Sequence, residues 1–384
     1  MRFIHLSDLH IGKQLHHYSL LEEQRELLGQ IVAHVRREKP DALLVAGDIY
    51  DTTVPAADAI EVFDDFLSDL DALEQELTIC IIAGNHDSAK RLDYASQILA
   101  KHAIHIVGTP PVMPDEQMKK VCMTDAYGEV VIYLLPFVKP VYLKKIVPEE
   151  TLSFSDAVKC LLDREEIDTG KRNVLVSHQF YAGGGISPVT SDSEVHVVGG
   201  LDNVDVGVLE GFDYAALGHI HRMQRIGEEK NCYCGTIFPY SVSEADEEKF
   251  VTMVELGAKG TAVEITKLPL TLPRRVRKLR GTMEEIFALT EGEVCHDYVS
   301  ITLTDEVEVN HPREILEEKY DHILEIRIDN ARTRKLLELG EFETENLAPY
   351  EAFCQFFKEL NGRELTEAED TLLQEVLQEG GDLE

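Results

Sequence analysis

The first hundred residues alternate between short apolar runs and longer stretches whose apolar positions recur every three or four residues. Short runs of this kind read as strands, and the longer periodic stretches as amphipathic helices. On this pattern strands are expected at 2–6, 42–46, 78–83 and 104–107, and helices at 19–38, 56–76 and 88–102. Further strands are expected at 120–123, 130–135, 173–176, 214–217 and 231–237, with less helix between them. The expectation is an α/β core of two packed sheets flanked by helices. Each of the first three strands runs straight into a polar cluster: Ser7-Asp8-Leu9-His10, Gly47-Asp48, and Gly84-Asn85-His86-Asp87. Ligand sites of open α/β sheets form at the carboxyl ends of strands, so these clusters are expected to converge.

Leu268-Pro-Leu-Thr-Leu-Pro273, followed by Arg274-Arg-Val-Arg-Lys278, has the proline spacing and polarity of an interdomain linker. A boundary near 275 is therefore expected, with a core at 1–275. A small α+β domain at 276–340 would hold helices at 283–289 and 312–319 and strands at 298–303 and 323–328. The segment 341–384 carries helix punctuation: Pro349, Asn361-Gly362, and Thr366-x-x-Glu369 as a capping box. A helical hairpin is expected there. Its apolar residues (Tyr350, Phe353, Phe356, Phe357, Leu360, Leu372, Leu373, Val376, Leu377) are too many for so short a segment to bury alone, so they need cover from a partner or from the protein's own core or small domain.

Composition changes the picture in three ways. At 384 residues and 44% hydrophobic the chain can bury a large core, and no apolar run reaches the ~20 residues that cross a bilayer. The opening strand leaves no apolar core of a signal peptide, so a cytosolic protein is expected. Seven scattered cysteines suggest neither a disulfide framework nor a zinc knuckle, and the close pair Cys232 and Cys234 reads as buried thiols. The net charge of −34 argues against a protein that grips nucleic acid unaided. That charge is uneven, however: 341–384 hold thirteen acidic and two basic residues, while 267–280 hold six basic residues and no acidic one.

Candidate chemistry accumulates along the chain. Asp8-x-His10 places two ligands on one side of an extended segment, yet alone it is an everyday turn, as is Gly47-Asp48. Gly84-Asn85-His86-Asp87 is less ordinary, because it sets an amide, an imidazole and a carboxylate in succession. His178 then follows an apolar strand, and His219-x-His221 repeats the spacing of two. Together Asp8, His10, Asp48, Asn85, His178, His219 and His221 suffice for two metal ions sharing one carboxylate. Oxygen and imidazole donors without thiolate suit manganese, iron or zinc better than calcium, and several histidines disfavour magnesium. No Gly-x-x-x-x-Gly-Lys-Ser/Thr loop is present, so the chain is not itself a P-loop ATPase.

The ordered series D-x-H, G-D-x-x-D, G-N-H-D, H and G-H-x-H resembles the motif set of the calcineurin-like metallophosphoesterases, over roughly residues 1–245. The resemblance implies a four-layer core of two packed mixed sheets flanked by helices. By motif, Asp8, His10, Asp48 and His221 would hold one ion, and Asp48, Asn85, His178 and His219 the other, with Asp48 bridging. His86 would assist the reaction without ligating. The chemistry implied is in-line hydrolysis of a phosphate ester, with the ions roughly 3.5–4 Å apart.

Within that superfamily, the text at 3–12, 47–55, 83–88 and 214–221, together with Gly235-Thr-Ile-Phe-Pro239, resembles the SbcD family of nuclease subunits. This implies a manganese-dependent DNA nuclease, exonucleolytic on double strands and endonucleolytic on single strands and hairpins. It would serve DNA repair, recombination and replication-fork processing, in the cytoplasm with the nucleoid. Its implied partner is an SMC-like ATPase of the SbcC type, with a homodimer inside a heterotetramer. The 276–340 domain would cap the DNA, and 341–384 would dock on the ATPase coiled-coil base. Asp51 stands where many archaeal and eukaryotic relatives carry histidine, so it is read as supporting the site. Lys13, His16 and His17 are open as DNA contacts. A stand-alone small-molecule phosphodiesterase or phosphatase suits the acidic composition but leaves 275–384 unexplained, and a scaffold that lost its site is opposed by the complete ligand set.

Overall fold

The structure is a computed structural model that describes residues 1–148, 152–183, 185–194, 202–245, 247–290, 292–307, 309–333, 350, 353–354, 357–358, 363–366, 369–370 and 372–374. The principal elements are β1 (Arg2–Leu6), α1 (Leu21–Glu38), β2 (Ala42–Ala46), α2 (Ala57–Asp71), β3 (Thr78–Ile82), β4 (Ile104–Val107), β5 (Lys119–Asp125) and β6 (Gly128–Leu135). They continue with α3 (Phe154–Asp163), β7 (Arg172–His178), β8 (Tyr214–Gly218), β9 (Gln224–Ile226), β10 (Glu228–Tyr233), β11 (Phe250–Glu255) and β12 (Glu264–Pro269). One sheet runs β12-β11-β1-β2-β3-β4 and the other β9-β10-β8-β7-β6-β5. In the first, β1 to β4 are parallel and β11 returns antiparallel on β1. In the second, β6, β7, β8 and β10 are parallel, with β5 and β9 antiparallel at the edges. Each parallel set brings its carboxyl ends to one side of its sheet, as the functional clusters require.

Side-chain alternation divides these strands between layers. Ala42, Leu44 and Ala46 of β2 join Val174, Val176, Tyr214 and Ala216 in the core between the sheets. Leu43 and Val45 pack instead with Leu27, Ile31 and Val35 of α1 and with Val62 and Phe66 of α2. Leu175, Ala215 and Leu217 turn toward Val158 and Leu161 of α3. Strands covered on both faces have no polar side, which is why their text is continuously apolar. Cys232 and Cys234 are buried free thiols, as expected.

Three sequence expectations are corrected. The helix at 88–102 is broken into Ala89–Leu92, Ser96–Leu99 and a 3-10 turn at Ala100–His102, because Ala95 takes a left-handed φ of 61° that no right-handed ladder can pass through. The strand at 231–237 stops at Tyr233, after which the chain turns and Thr236 N donates to His221 O at 3.0 Å. The proline-spaced stretch from 268 is no linker: β12 pairs with β11, Leu268 and Leu270 are buried, and Thr271 exchanges two backbone hydrogen bonds with the Gln30 amide. Prolines fit there because β12 is an edge strand.

The chain divides into two compact units, Met1–Lys278 with His296–Ser300 and Tyr320–Leu324, and Leu279–Cys295 with Ile301–Lys319 and Glu325–Glu384. Strands Val276–Gly281, Cys295–Leu303 and Tyr320–Ile328 form a three-stranded sheet, and the helix Met283–Ala288 opens on a capping box from Thr282 and Glu285. A helix at Pro312–Leu316 also forms. Half of the basic strip is paired with acidic groups: Arg274 meets Glu23, Arg277 lies 3.5 Å from Asp297, and Arg280 meets Asp329. In the tail the Thr366–Glu369 capping box forms, while Phe356, Leu360, Asn361, Gly362, Val376, Leu377 and Pro349 lie outside the described residues. Leu373 is buried, whereas Phe353 and Leu372 are exposed.

Candidate metal centre

The loops that leave β1 and β2 are fastened to each other through their backbones. Asp8 N donates to Gly47 O at 2.9 Å, His10 N to Asp48 O at 3.0 Å and Ile11 N to Ile49 O at 2.9 Å. The loop after β3 joins them through Asp87, whose buried carboxylate accepts from Ile49 N (3.1 Å), Tyr50 N (3.0 Å) and Gly84 N (2.9 Å). Gly84 approaches so closely that a Cβ would stand 2.2 Å from Asp48 Oδ1. These ties hold Asp8, His10 and Asp48 at φ of 53°, 44° and 52°, a left-handed backbone costing on the order of 1–3 kcal/mol per non-glycine residue. His219, after β8, sits at φ 98°. Such strain persists where the surroundings fix a side chain's aim.

The second sheet supplies imidazoles. His178 ends β7, and its Nδ1–H donates to Ala46 O at 2.7 Å. His219 N donates to both oxygens of Asp8, at 3.0 and 3.1 Å, which joins the two sheets at the site. Gly218 allows this approach, since a Cβ there would lie 1.9 Å from Ala46 O. All seven candidate donors come together. Asp48 Oδ2 stands 3.7 Å from His10 Nε2 and 3.3 Å from His178 Nε2. Asn85 Oδ1 is 3.0 Å from both His178 Nε2 and His219 Nδ1. His10 Nε2 faces His221 Nε2 at 3.2 Å, and Asp8, His10 and His221 form one tight group while Asp8, Asp48 and His178 form another.

Lone pairs converge at two places in this cluster. His10 Nδ1 lies 3.3 Å from Asp51 Oδ1 and His221 Nδ1 2.6 Å from Ser193 Oγ, and the two Nε2 atoms face one another. With its Nδ1–H committed to Ala46, His178 likewise presents Nε2 to the oxygens of Asp48 and Asn85. A proton or a cation placed between these atoms relieves such an arrangement in a buried site. Burial lifts the Asp8 carboxyl to about 7 against the pull of His178. Burial would also raise Asp48, but His178, His10 and His86 outweigh it and hold that carboxyl below its usual range. For His178 burial acts downward, yet Asp48 and Asp8 carry it to about 9. His10 and His221 are pushed down by burial and so stay neutral donors. The donor set, two carboxylates, an amide and four imidazoles without thiolate, fits two divalent transition-type ions.

His86 stands beside this group. Its backbone N donates to Asp48 Oδ1 at 2.8 Å, its Nδ1 donates to Asp51 O at 2.8 Å, and its ring lies edge-on to His10 with centroids 4.9 Å apart. Asp51 also receives Lys13 Nζ at 2.8 Å, so Lys13 is engaged within the site, whereas His17 stacks on Tyr18. His16 is exposed. Several supporting residues lie outside the sequence motifs. Gln24 Nε2 donates to His10 O at 2.7 Å and to Tyr240 OH at 3.0 Å, and Tyr240 OH donates to Leu9 O. Gln24 does leave a signal, as a polar residue continuing the buried stripe of Leu28, Ile31 and Val35 on α1. Ser193 and Glu244 leave none.

Two packed mixed sheets with an oxygen and imidazole cluster at their strand ends define a dimetal phosphoesterase. The family model described as calcineurin-like phosphoesterase matches residues 1–223, and the chain belongs to that family, whose members bind two divalent metals. A second model, described as the type 5 capsule protein repressor C-terminal domain, matches residues 272–361. Along its length the chain is a homologue of the SbcD component of nuclease SbcCD in Staphylococcus epidermidis, 26% identical over 98% of both chains. Similar solved structures include a dimetal phosphatase from Danio rerio, at TM-score 0.41 and 14% identity over 70% of this chain and 96% of that one. Another is the phosphopantetheinyl hydrolase of Mycobacterium tuberculosis, at TM-score 0.33 and 16% identity over 60% and 86%.

Proposed function

We propose that the chain is the DNA-cleaving subunit of a two-metal nuclease that acts with an SMC-like ATPase of the SbcC type. Asp8, His10, Asp48 and His221 would hold one ion, and Asp48, Asn85, His178 and His219 the other. The observation that supports this partition best is Asp48 Oδ2, which lies between the imidazoles of the two groups, 3.7 Å from His10 Nε2 and 3.3 Å from His178 Nε2. Two divalent ions bound there supply positive charge to the phosphate oxygens and lower the pKa of an attacking water. Manganese suits the donors.

His86 acts on the reacting phosphate. With Nδ1–H given to Asp51 O, its Nε2 is the nitrogen left to exchange a proton with the leaving oxygen or to steady a phosphate oxygen. Residues 1–275 form the nuclease core, 276–340 the capping domain over DNA, and 341–384 the partner-binding tail. The substrates are double-stranded ends, cut exonucleolytically, and single strands or hairpins, cut endonucleolytically, during DNA repair, recombination and replication-fork processing. The assembly is a homodimer within a heterotetramer with the ATPase, and it works in the cytoplasm at the nucleoid. Among the described residues no helix is long and apolar enough to cross a membrane.

The net charge of −34 favours a second reading, a small-molecule phosphodiesterase. The purified chain with manganese, assayed on plasmid, linear and hairpin DNA with and without the ATPase, separates the two. DNA cleavage that ATP and partner stimulate supports the nuclease; hydrolysis of small phosphodiesters with DNA left intact overturns it. Truncation after Gly340 is expected to keep small-substrate hydrolysis and abolish co-purification with the ATPase.

A further inference from the structure

Behind His221 runs a line of polar groups, passing from half-buried Ser193 to buried Glu244 and Lys249, that the seven donors do not account for. His221 Nδ1 is 2.6 Å from Ser193 Oγ, which is 2.7 Å from Glu244 Oε1, and Glu244 Oε2 is 2.8 Å from Lys249 Nζ. Glu244 is fully buried and Lys249 nearly so, at 5% exposure. The carboxylate also accepts from Ser241 Oγ at 3.0 Å and lies 3.3 Å from Ser191 Oγ, so both its oxygens are engaged. Burying a Lys–Glu pair gains little stability against a well-packed apolar pair, so stability alone does not explain its place here.

Proton counting fixes the direction of the line. A carboxylate only accepts, so the single Ser193 hydroxyl proton goes to Glu244, and Ser193 Oγ must accept from His221 Nδ1–H. His221 is thereby held as the Nδ1–H tautomer with its Nε2 lone pair directed toward His10 Nε2, 3.2 Å away. We propose that Ser193 and Glu244, with Lys249 balancing the charge, are positioning residues that set the tautomer and aim of His221 toward the metal ion it shares with His10. This rests on the reading of His221 as a ligand. Groups that orient a ligating imidazole in this way typically alter metal affinity about 10–100-fold when removed.

The test is calorimetric titration of the metal-free full chain with manganese chloride, for wild type, Ser193→Ala, Ser193→Thr and His221→Ala. Ser193 is partly exposed, so its variants are expected to fold. Ser193→Ala is expected to weaken one of two ions by about tenfold or more, and Ser193→Thr, which keeps the hydroxyl, to restore it. Long-range proton–nitrogen spectra of the metal-free protein are expected to show His221 protonated at Nδ1 in wild type and shifted toward Nε2–H in Ser193→Ala. If His221→Ala loses an ion while Ser193→Ala binds and titrates as wild type, the positioning role is overturned and the ligand stands. If Ser193→Ala weakens binding but Ser193→Thr fails to restore it, the hydroxyl is not the cause. Two ions bound at wild-type strength by His221→Ala would overturn the ligand reading itself.

Discussion

The two sheets build their halves of the centre differently. The loops of β1, β2 and β3 are bound by backbone bonds and by Asp87, and they deliver Asp8, His10, Asp48 and Asn85 from three short contiguous motifs. The loops of the second sheet deliver imidazoles, two of which take their aim from distant groups, His178 from Ala46 O and His221 from Ser193, while His219 is tied to Asp8 through its backbone N. One half is a rigid frame and the other a set of tuned side chains. Backbone bonds hold the left-handed φ values at Asp8, His10 and Asp48 in the first half, and His219 carries a positive φ in the second.

The comparison breaks first at Asp48, the residue of the first half proposed to hold both ions. Asp48→Asn is expected to weaken both ions and cut hydrolysis of a generic phosphodiester by more than the 10–100-fold loss typical of a supporting residue, on the order of 10³-fold. Metal analysis alongside turnover checks this; retention of both ions at normal rate would mean the halves do not share it. His86→Ala is expected to lose ~10²–10⁴-fold in rate while manganese occupancy stays unchanged. Loss of metal in parallel would make His86 a ligand. Asp87→Ala leaves the N–H groups of Ile49, Tyr50 and Gly84 without their acceptor and is expected to cost about 3 kcal/mol in denaturant unfolding. In the second half Ser193→Ala is expected to cost about 1 kcal/mol or less by the same measurement. Equal losses at Asp87 and Ser193 would erase the distinction between frame and tuned ligand.

Legibility in the sequence follows the same division. The first half could be read because its donors lie within a few residues of one another, each following an apolar strand. His178, His219 and His221 stand out in the sequence as candidate donors, but Ser193 and Glu244 lie 28 and 23 residues from His221, and no local pattern joins them. The two-sheet core was readable from apolar runs; its layer assignments were not, because strands covered on both faces carry no alternation. At 88–102 periodicity suggested one helix, and the left-handed Ala95 divides it. Proline spacing at 268–273 resembled a linker because edge strands tolerate proline, and the acidic partners of Arg274, Arg277 and Arg280 were not legible because Glu23, Asp297 and Asp329 are distant in sequence.

The most direct test of a shared, two-part centre is a crystal structure of the manganese-loaded protein with anomalous data collected at the manganese edge. Two anomalous peaks are expected on either side of the Asp48 carboxylate, one beside His10 and His221 and the other beside His178, Asn85 and His219. A single peak, or peaks that leave Asp48 without contact to both, would contradict the account.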